Sequence, residues 1–305
     1  MNDQADNTLI LVSGFSRGGT SILWNLICSH PNVLSTGIEL NEIFGPSRTN
    51  IPFRWKFLIE LFALTRLPVP GFVSSYAHNR IRSFAVENST LSWGKWKTHE
   101  ERYESDEITS YPVCTKSVNS WARDPLFAML QRNIALKYNR ILLTAYQTVK
   151  TVYIIRDGES QCNGWMRRGC DPYEAGKWYR KIVSMMLADR ERRKDDVMFV
   201  NFHDLIHQPI QTINRVYGFL GLPETMASHY RLKTKKVLKE DGTHDVVTGT
   251  EGEMVWVSRD ELSAFLDSGI DERQRSGLDE TTLDSFRKGL GDIIERLGDV
   301  VGTRQ

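Results

Sequence analysis

No run of about 18 or more apolar residues occurs in this 305-residue chain, which excludes a membrane-spanning helix. The most apolar stretch, Phe57 to Leu64, is broken by Glu60. Charge of one sign is also missing. The chain has 39 Lys+Arg against 38 Asp+Glu, a formal net charge of +1, so the basic excess of a general nucleic-acid binder is absent. The four cysteines, Cys28, Cys114, Cys162 and Cys170, form no CxxC pair and no His-linked zinc spacing. They read as reduced, mostly buried thiols. The N-terminus, Met1 to Asn7, lacks the basic and apolar regions of a signal peptide, and an apolar strand starts at Leu9. A cytoplasmic protein is the expectation, unless an anchor has been trimmed. No internal repeat or low-complexity segment is present.

What remains is an ordinary globular composition, 40% hydrophobic and 25% charged, with length enough for one large α/β domain or two smaller ones. Leu9–Ser13 (LILVS) is a short apolar run that stops at Gly14, as a buried parallel strand does. Ile22, Leu23, Leu26 and Ile27 then share one helical face, and Pro31 follows as a stop. Residues 45–110 differ. They are rich in aromatics, contain the breaker run Pro68-Val69-Pro70-Gly71, and read as a helical insertion. The α/β rhythm resumes with a strand at Tyr111–Lys116, a helix-like stretch from Asp124 to about Tyr146, and the strand Thr151–Ile155. Helices are expected over 160–168 and 173–194, a strand over Val197–Asn201, and a helix ending at Gly221. Residues 231–280 read as irregular, and a last helix covers about 281–298. Strands alternating with helices predict a doubly wound, mainly parallel sheet, with ligands at the carboxyl ends of its strands.

The most informative segment lies between the first strand and the first helix, Ser13-Gly14-Phe15-Ser16-Arg17-Gly18-Gly19-Thr20-Ser21. Such a turn aims backbone N–H groups at one point, at the positive end of a helix dipole. Glycines let the backbone approach an anion closely, Thr20 and Ser21 add hydroxyl donors, and Arg17 adds a charged one. The bland alternative, a ligand-free turn, does not account for Arg, Thr and Ser on one such turn. The spacing nearly matches a Walker A loop, but Thr20 stands where the NTPase Lys would be, and the basic residue lies three positions earlier.

That shift resembles the 5′-phosphosulfate loop of the sulfotransferases that use 3′-phosphoadenosine 5′-phosphosulfate (PAPS): a basic residue, a small residue, Gly and two hydroxyl residues, filled here by Arg17-Gly18-Gly19-Thr20-Ser21. A second motif of the family is Arg-Asp/Asn-Pro after a strand, with a Ser eight residues beyond the Arg. Here it reads Arg156-Asp157-Gly158, and the Ser position is Gly164. The resemblance implies that Arg156 holds the 3′-phosphate. Asn163 and Ser160 are nearby donors to replace the missing Ser. Weaker echoes are His30-Pro31 (His30 read as structural), Phe202-His203-Asp204-Leu205 and Phe219-Leu220-Gly221-Leu222. The resemblance spans about 9–222 apart from the insertion.

It implies a P-loop-like sulfotransferase architecture of the bacterial or carbohydrate type over 1–305. The insertion, 45–110, would be the acceptor lid, and 223–305 a basic loop region ending in a helix. The implied reaction is sulfuryl transfer from PAPS, leaving 3′-phosphoadenosine 5′-phosphate (PAP), to a hydroxyl or amine of a small-molecule, carbohydrate or lipid-like acceptor. No metal is required. Arg17 would stabilise the leaving phosphate. Ser16, Arg17, Gly18, Gly19, Thr20, Ser21, Arg156 and Asn163 would bind the donor. The base is Glu39 first and Glu42 second. Lys97-Thr98-His99 matches a His-base segment of the family literally, but it falls in the insertion and reads as coincidence. Lys116 is placed to touch substrate or sulfonate. Arg231–Lys236 is either a solvated basic face or a loop closing on the 3′-phosphate. Two alternatives stand beside this reading: a P-loop kinase or NTPase with Asp157 as the Mg²⁺ partner, and a non-catalytic nucleotide-binding protein on the same fold. The sequence leaves the acceptor and the oligomeric state open.

Overall fold

The first strand, β1 (Thr8–Phe15), is buried along almost its whole length because it lies mid-sheet. The structure is a computed structural model. It describes residues 7–44, 51–65, 67–92, 111–119, 138–224, 227–234, 236–238, 244–246 and 253–301. β1 pairs in parallel with β3 (Val113–Asn119) on one side and β4 (Thr148–Ile155) on the other. The two-residue β2 (Leu34–Ser35) and β5 (Val197–Asn201) add the edges, giving the order β2-β3-β1-β4-β5, every pair parallel.

Alternation along the strands sends successive side chains to opposite faces. Ile10, Val12, Val152, Ile154 and Val200 pack with α1 (Thr20–Cys28) and with α9 (Pro209–Leu220), which follows the short α8 (Phe202–His207). On the opposite face Leu9, Leu11 and Val113 meet α2 (Leu40–Phe44), α4 (Gly71–Ser92) and α5 (Asn139–Ala145). Further along that face, Phe15, Tyr153 and Ile155 meet α6 (Gly158–Met166) and α7 (Pro172–Arg192). Helices on both faces of a parallel sheet make the expected doubly wound α/β fold. α3 (Phe53–Leu64) and α4 are the helices described within residues 45–110. Most of the stretch from Asp124, and Lys97-Thr98-His99 with Trp93 and Trp96, lie outside the described residues.

The C-terminal part holds more than the irregular backbone expected. β6 (His229–Lys233) pairs antiparallel with β9 (Met254–Ser258), and β7 (Lys236–Leu238) with β8 (His244–Val246). Then come α10 (Leu262–Phe265), α11 (Ile270–Arg275), α12 (Glu280–Leu290) and α13 (Ile293–Val301). The single last helix of the sequence reading is thus two, broken at Gly291, whose φ of 57° no continuing helix allows. The four cysteines are free and buried, and burial pushes the Cys162 and Cys170 thiols up to about 12. Behind the sheet, the buried Tyr153 hydroxyl donates to Asp189 (2.8 Å), whose carboxylate also pairs with Arg193 (2.5 Å). That satisfies a buried carboxylate from two sides.

Candidate active site

The turn after β1 is held by its carbonyls. Asn119 Nδ2 donates to the Gly14 carbonyl (3.0 Å) and Gly18 N–H to Phe15 (2.9 Å). Gln161 Nε2 donates to Ser16 (2.7 Å) and Arg156 Nη1 to Arg17 (2.7 Å). Four consecutive carbonyls are thus held by the protein, and the Ser16 N–H donates to the Asn119 carbonyl (3.0 Å). The amides of Gly19, Thr20 and Ser21 have no acceptor among the described residues. α1 begins with no side-chain cap and no acidic residue in its first turn. Open amides and an uncompensated dipole at one point are the features that favour an anion.

Two residues of this turn have a left-handed backbone. Gly19, at φ 90°, needs to be glycine twice over, because a Cβ there would lie 2.3 Å from Phe202 Cδ2. Arg17, at φ 68°, is the non-glycine with positive φ among the described residues. That conformation costs an L-residue roughly 1–2 kcal/mol. The Arg17 side chain is exposed and makes no ion pair among the described residues.

Beside this turn stands a second group. Lys116, in the middle of β3, is 7% exposed. Its ammonium donates to Ser21 Oγ (2.9 Å), pairs with Glu39 Oε1 (3.1 Å) and lies 4.7 Å from the centre of the Trp24 ring. Glu39 is thereby tied next to the first turn of α1. The other carboxylate candidate does something else: Glu42 Oε2 accepts the Glu39 N–H (3.1 Å), the backward half of a capping box at the start of α2. Ahead of Glu39, Gly37 has φ 69°, and Asn88 of α4 donates to the Ser35 carbonyl (2.9 Å). The end of α4 therefore packs against the turn that delivers Glu39.

The third group is at the end of β4. Arg156 is 5% exposed, with its guanidinium 4.7 Å from the Phe202 ring centre. Its carbonyl accepts from the buried Tyr179 hydroxyl (2.9 Å). Asp157 caps α6, accepting from the Ser160 N–H (2.9 Å) and hydroxyl (2.7 Å), and pairs with Arg275 (3.2 Å). Asn163 donates to the Gln274 carbonyl, and the Ser160 hydroxyl, its one proton shared with Asp157, also lies 3.0 Å from the Asp271 carbonyl. At Gly164 an added Cβ would meet nothing within 4 Å.

The sequence-read residues therefore fall into two neighbouring groups. Ser16 to Ser21 lie with Glu39 and Lys116, and Arg156 lies with Ser160 and Asn163, bridged to the first by the Arg156–Arg17 hydrogen bond. Sequence reading missed Asn119 and Gln161, which pin the turn, and Asp271, which pairs with Arg156 (2.6 Å). Arg231 sits on β6, where its N–H donates to Ser29 Oγ (2.8 Å) and burial lowers its side chain to about 10. His30 is fixed between the Pro223 carbonyl (2.9 Å) and the Asn32 N–H (3.1 Å), a structural placement.

The fold is a parallel α/β sheet with open amides in the turn after its central strand and an arginine at the end of the adjacent strand, an arrangement suited to phosphate or sulfate esters. Residues 10–226 match the model of the sulfotransferase family, and the chain belongs to that family. Among solved structures it is similar to the sulfotransferase domain of the olefin synthase of Synechococcus PCC 7002, with 14% identity, 96% of this chain and 98% of that one covered, and a TM-score of 0.46. It is similar also to the sulfotransferase domain of the curacin biosynthetic pathway (13%, 96% and 96%, 0.47). A third is a sulfotransferase of Alicyclobacillus acidocaldarius (14%, 88% and 94%, 0.36). The family assignment rests on the sequence match. The comparison with curated proteins gives no significant match.

Proposed function

We propose that the chain transfers a sulfuryl group from PAPS to a hydroxyl or amine of a small-molecule, carbohydrate or lipid-like acceptor. The observation that carries this reading is the Glu39–Lys116–Ser21 chain, which sets a carboxylate beside a turn of open amides. The donor supplies an activated sulfuryl group on its 5′-phosphate. The residues present suit it: N–H groups of Gly19, Thr20 and Ser21 for the 5′ end, and the buried Nη2 of Arg156 for the 3′-phosphate, none of which has a hydrogen-bond partner among the described residues.

Glu39 takes the proton from the acceptor O–H or N–H as the new bond to sulfur forms. The bond from sulfur to the 5′-phosphate oxygen breaks, and its electron pair stays on that oxygen. Arg17 and the open amides stabilise this growing charge. Lys116 orients Glu39 and neutralises the sulfonate oxygens. α3 and α4 form the acceptor lid, α4 being packed against the Ser35–Gly37 turn ahead of the base. The kinase reading is weakened twice: Thr20 replaces the loop Lys, and the Asp157 carboxylate is taken up in capping α6 and pairing with Arg275.

The test is incubation with radiolabelled PAPS and a panel of phenols, oligosaccharides and amphiphilic alcohols. We expect labelled product and equimolar PAP, and Glu39→Gln should lower kcat by about 10²–10⁴ while PAP still binds. Unchanged turnover in Glu39→Gln would remove Glu39 as base. ATP–Mg²⁺ phosphoryl transfer in place of sulfuryl transfer would overturn the reading.

A further inference from the structure

The arginine proposed for the 3′-phosphate is already paired with an acid of its own chain. Arg156 Nε donates to Asp271 Oδ1 at 2.6 Å, across 115 residues of sequence, with both side chains largely buried. Nη1 is taken by the Arg17 carbonyl, and the buried Nη2 has no hydrogen-bond partner among the described residues. The segment that brings Asp271 also lies on the neighbouring donors of α6: the Ser160 hydroxyl is shared between Asp157 and the Asp271 carbonyl, and Asn163 donates its amide to Gln274. Arg275 adds pairs to Asp157 (3.2 Å) and Glu159 (3.5 Å).

All these contacts are polar, and α11 buries none of its residues. The segment's apolar anchors, Ile270 and Leu278, are only partly buried against the neighbouring cores, and a segment with no fully buried apolar residue belongs to the less stable parts of a fold. A phosphate arriving at Nη2 would share one guanidinium with the Asp271 carboxylate in a site of low water content, where like charges repel strongly.

We propose that Asp271 sets donor affinity and selectivity by competing with the nucleotide 3′-phosphate for Arg156, so that a 3′-phosphorylated nucleotide binds by displacing α11 from α6. This rests on the PAPS reading above. Its consequence is specific: the acid penalises only ligands that carry a 3′-phosphate, and a nucleotide without one fills the 5′ turn and leaves Asp271 in place.

Calorimetric titration of PAP and of 5′-AMP into wild type, Asp271→Asn and Arg275→Ala tests it. Asp271→Asn should tighten PAP by about tenfold or more and leave 5′-AMP unchanged. Arg275→Ala, which loosens the segment without touching Arg156, should tighten PAP by a smaller factor. Hydrogen exchange in wild type should speed up over 269–278 when PAP is added, and this arm carries the test if Asp271→Asn fails to fold. Equal or weaker PAP binding in a folded Asp271→Asn protein, or PAP-induced protection of 269–278, would overturn the proposal while leaving the donor reading intact. Absence of PAP binding in every variant would take the donor reading down, and this proposal with it.

Discussion

Two arginines stand at the carboxyl ends of adjacent parallel strands, and the chain treats them in opposite ways. Arg17 follows β1 on a strained backbone, with its side chain exposed and the helix behind it uncapped. Arg156 follows β4, buried on Phe202 and paired with Asp271, and the helix behind it is capped by Asp157. The proposed 5′-phosphate site is built from backbone within a few residues and stands open. The proposed 3′-phosphate site is built from side chains and is covered by a segment from more than a hundred residues away. A local site needs no protein counter-charge, because open amides are only partial charges. A fully buried guanidinium does need one, or its desolvation goes uncompensated.

The largest effect should separate the two directly. Arg156→Ala leaves a largely buried Asp271 without its partner and should cost about 3–5 kcal/mol in urea denaturation. Arg17→Ala should leave the denaturation midpoint unlowered, yet reduce sulfuryl transfer by about 10²–10³. Equal stability losses would erase the distinction drawn between them.

Glycines give the next contrast. Gly19→Ala combines overlap with Phe202 and a left-handed φ, and should destabilise by about 3 kcal/mol and abolish nucleotide binding. Gly164→Ala enters open space within a helix and should stabilise by up to about 1 kcal/mol. Both are read by the same denaturation series. The smallest effect tests the strain itself. Arg17→Gly relieves the backbone at φ 68° against glycine's greater unfolded freedom, for a net gain of about 0.5–1 kcal/mol, with transfer lost. A loss of stability there would show that the Arg17 side chain is structural.

The same contrast governs what the sequence made legible. The β1 turn could be read because its strand, glycines, hydroxyls and arginine are contiguous, and local pattern carries local structure. Glu39 could be read as a candidate, but only its pairing with Lys116, 77 residues on in the numbering of the same chain, separates it from the capping Glu42. Asn163 reads as a donor to the nucleotide, and its hydrogen bond to the Gln274 carbonyl is a tertiary contact that no local pattern shows. Asp271 gave no signal, since one acid in a charged stretch looks like solvated surface until tertiary packing brings it to Arg156. β2 is two residues long, too short for periodicity, and the strands after 228 follow a pattern too brief to distinguish from loop. The break between α12 and α13 hides in a continuous amphipathic pattern, marked only by Gly291.

The most direct test of the central claim is calorimetric titration of the wild-type chain with PAP in the absence of magnesium. A micromolar dissociation constant is expected, about −8 kcal/mol, weakened strongly in Arg156→Ala. No PAP binding, with ATP–Mg²⁺ bound in its place, would contradict it.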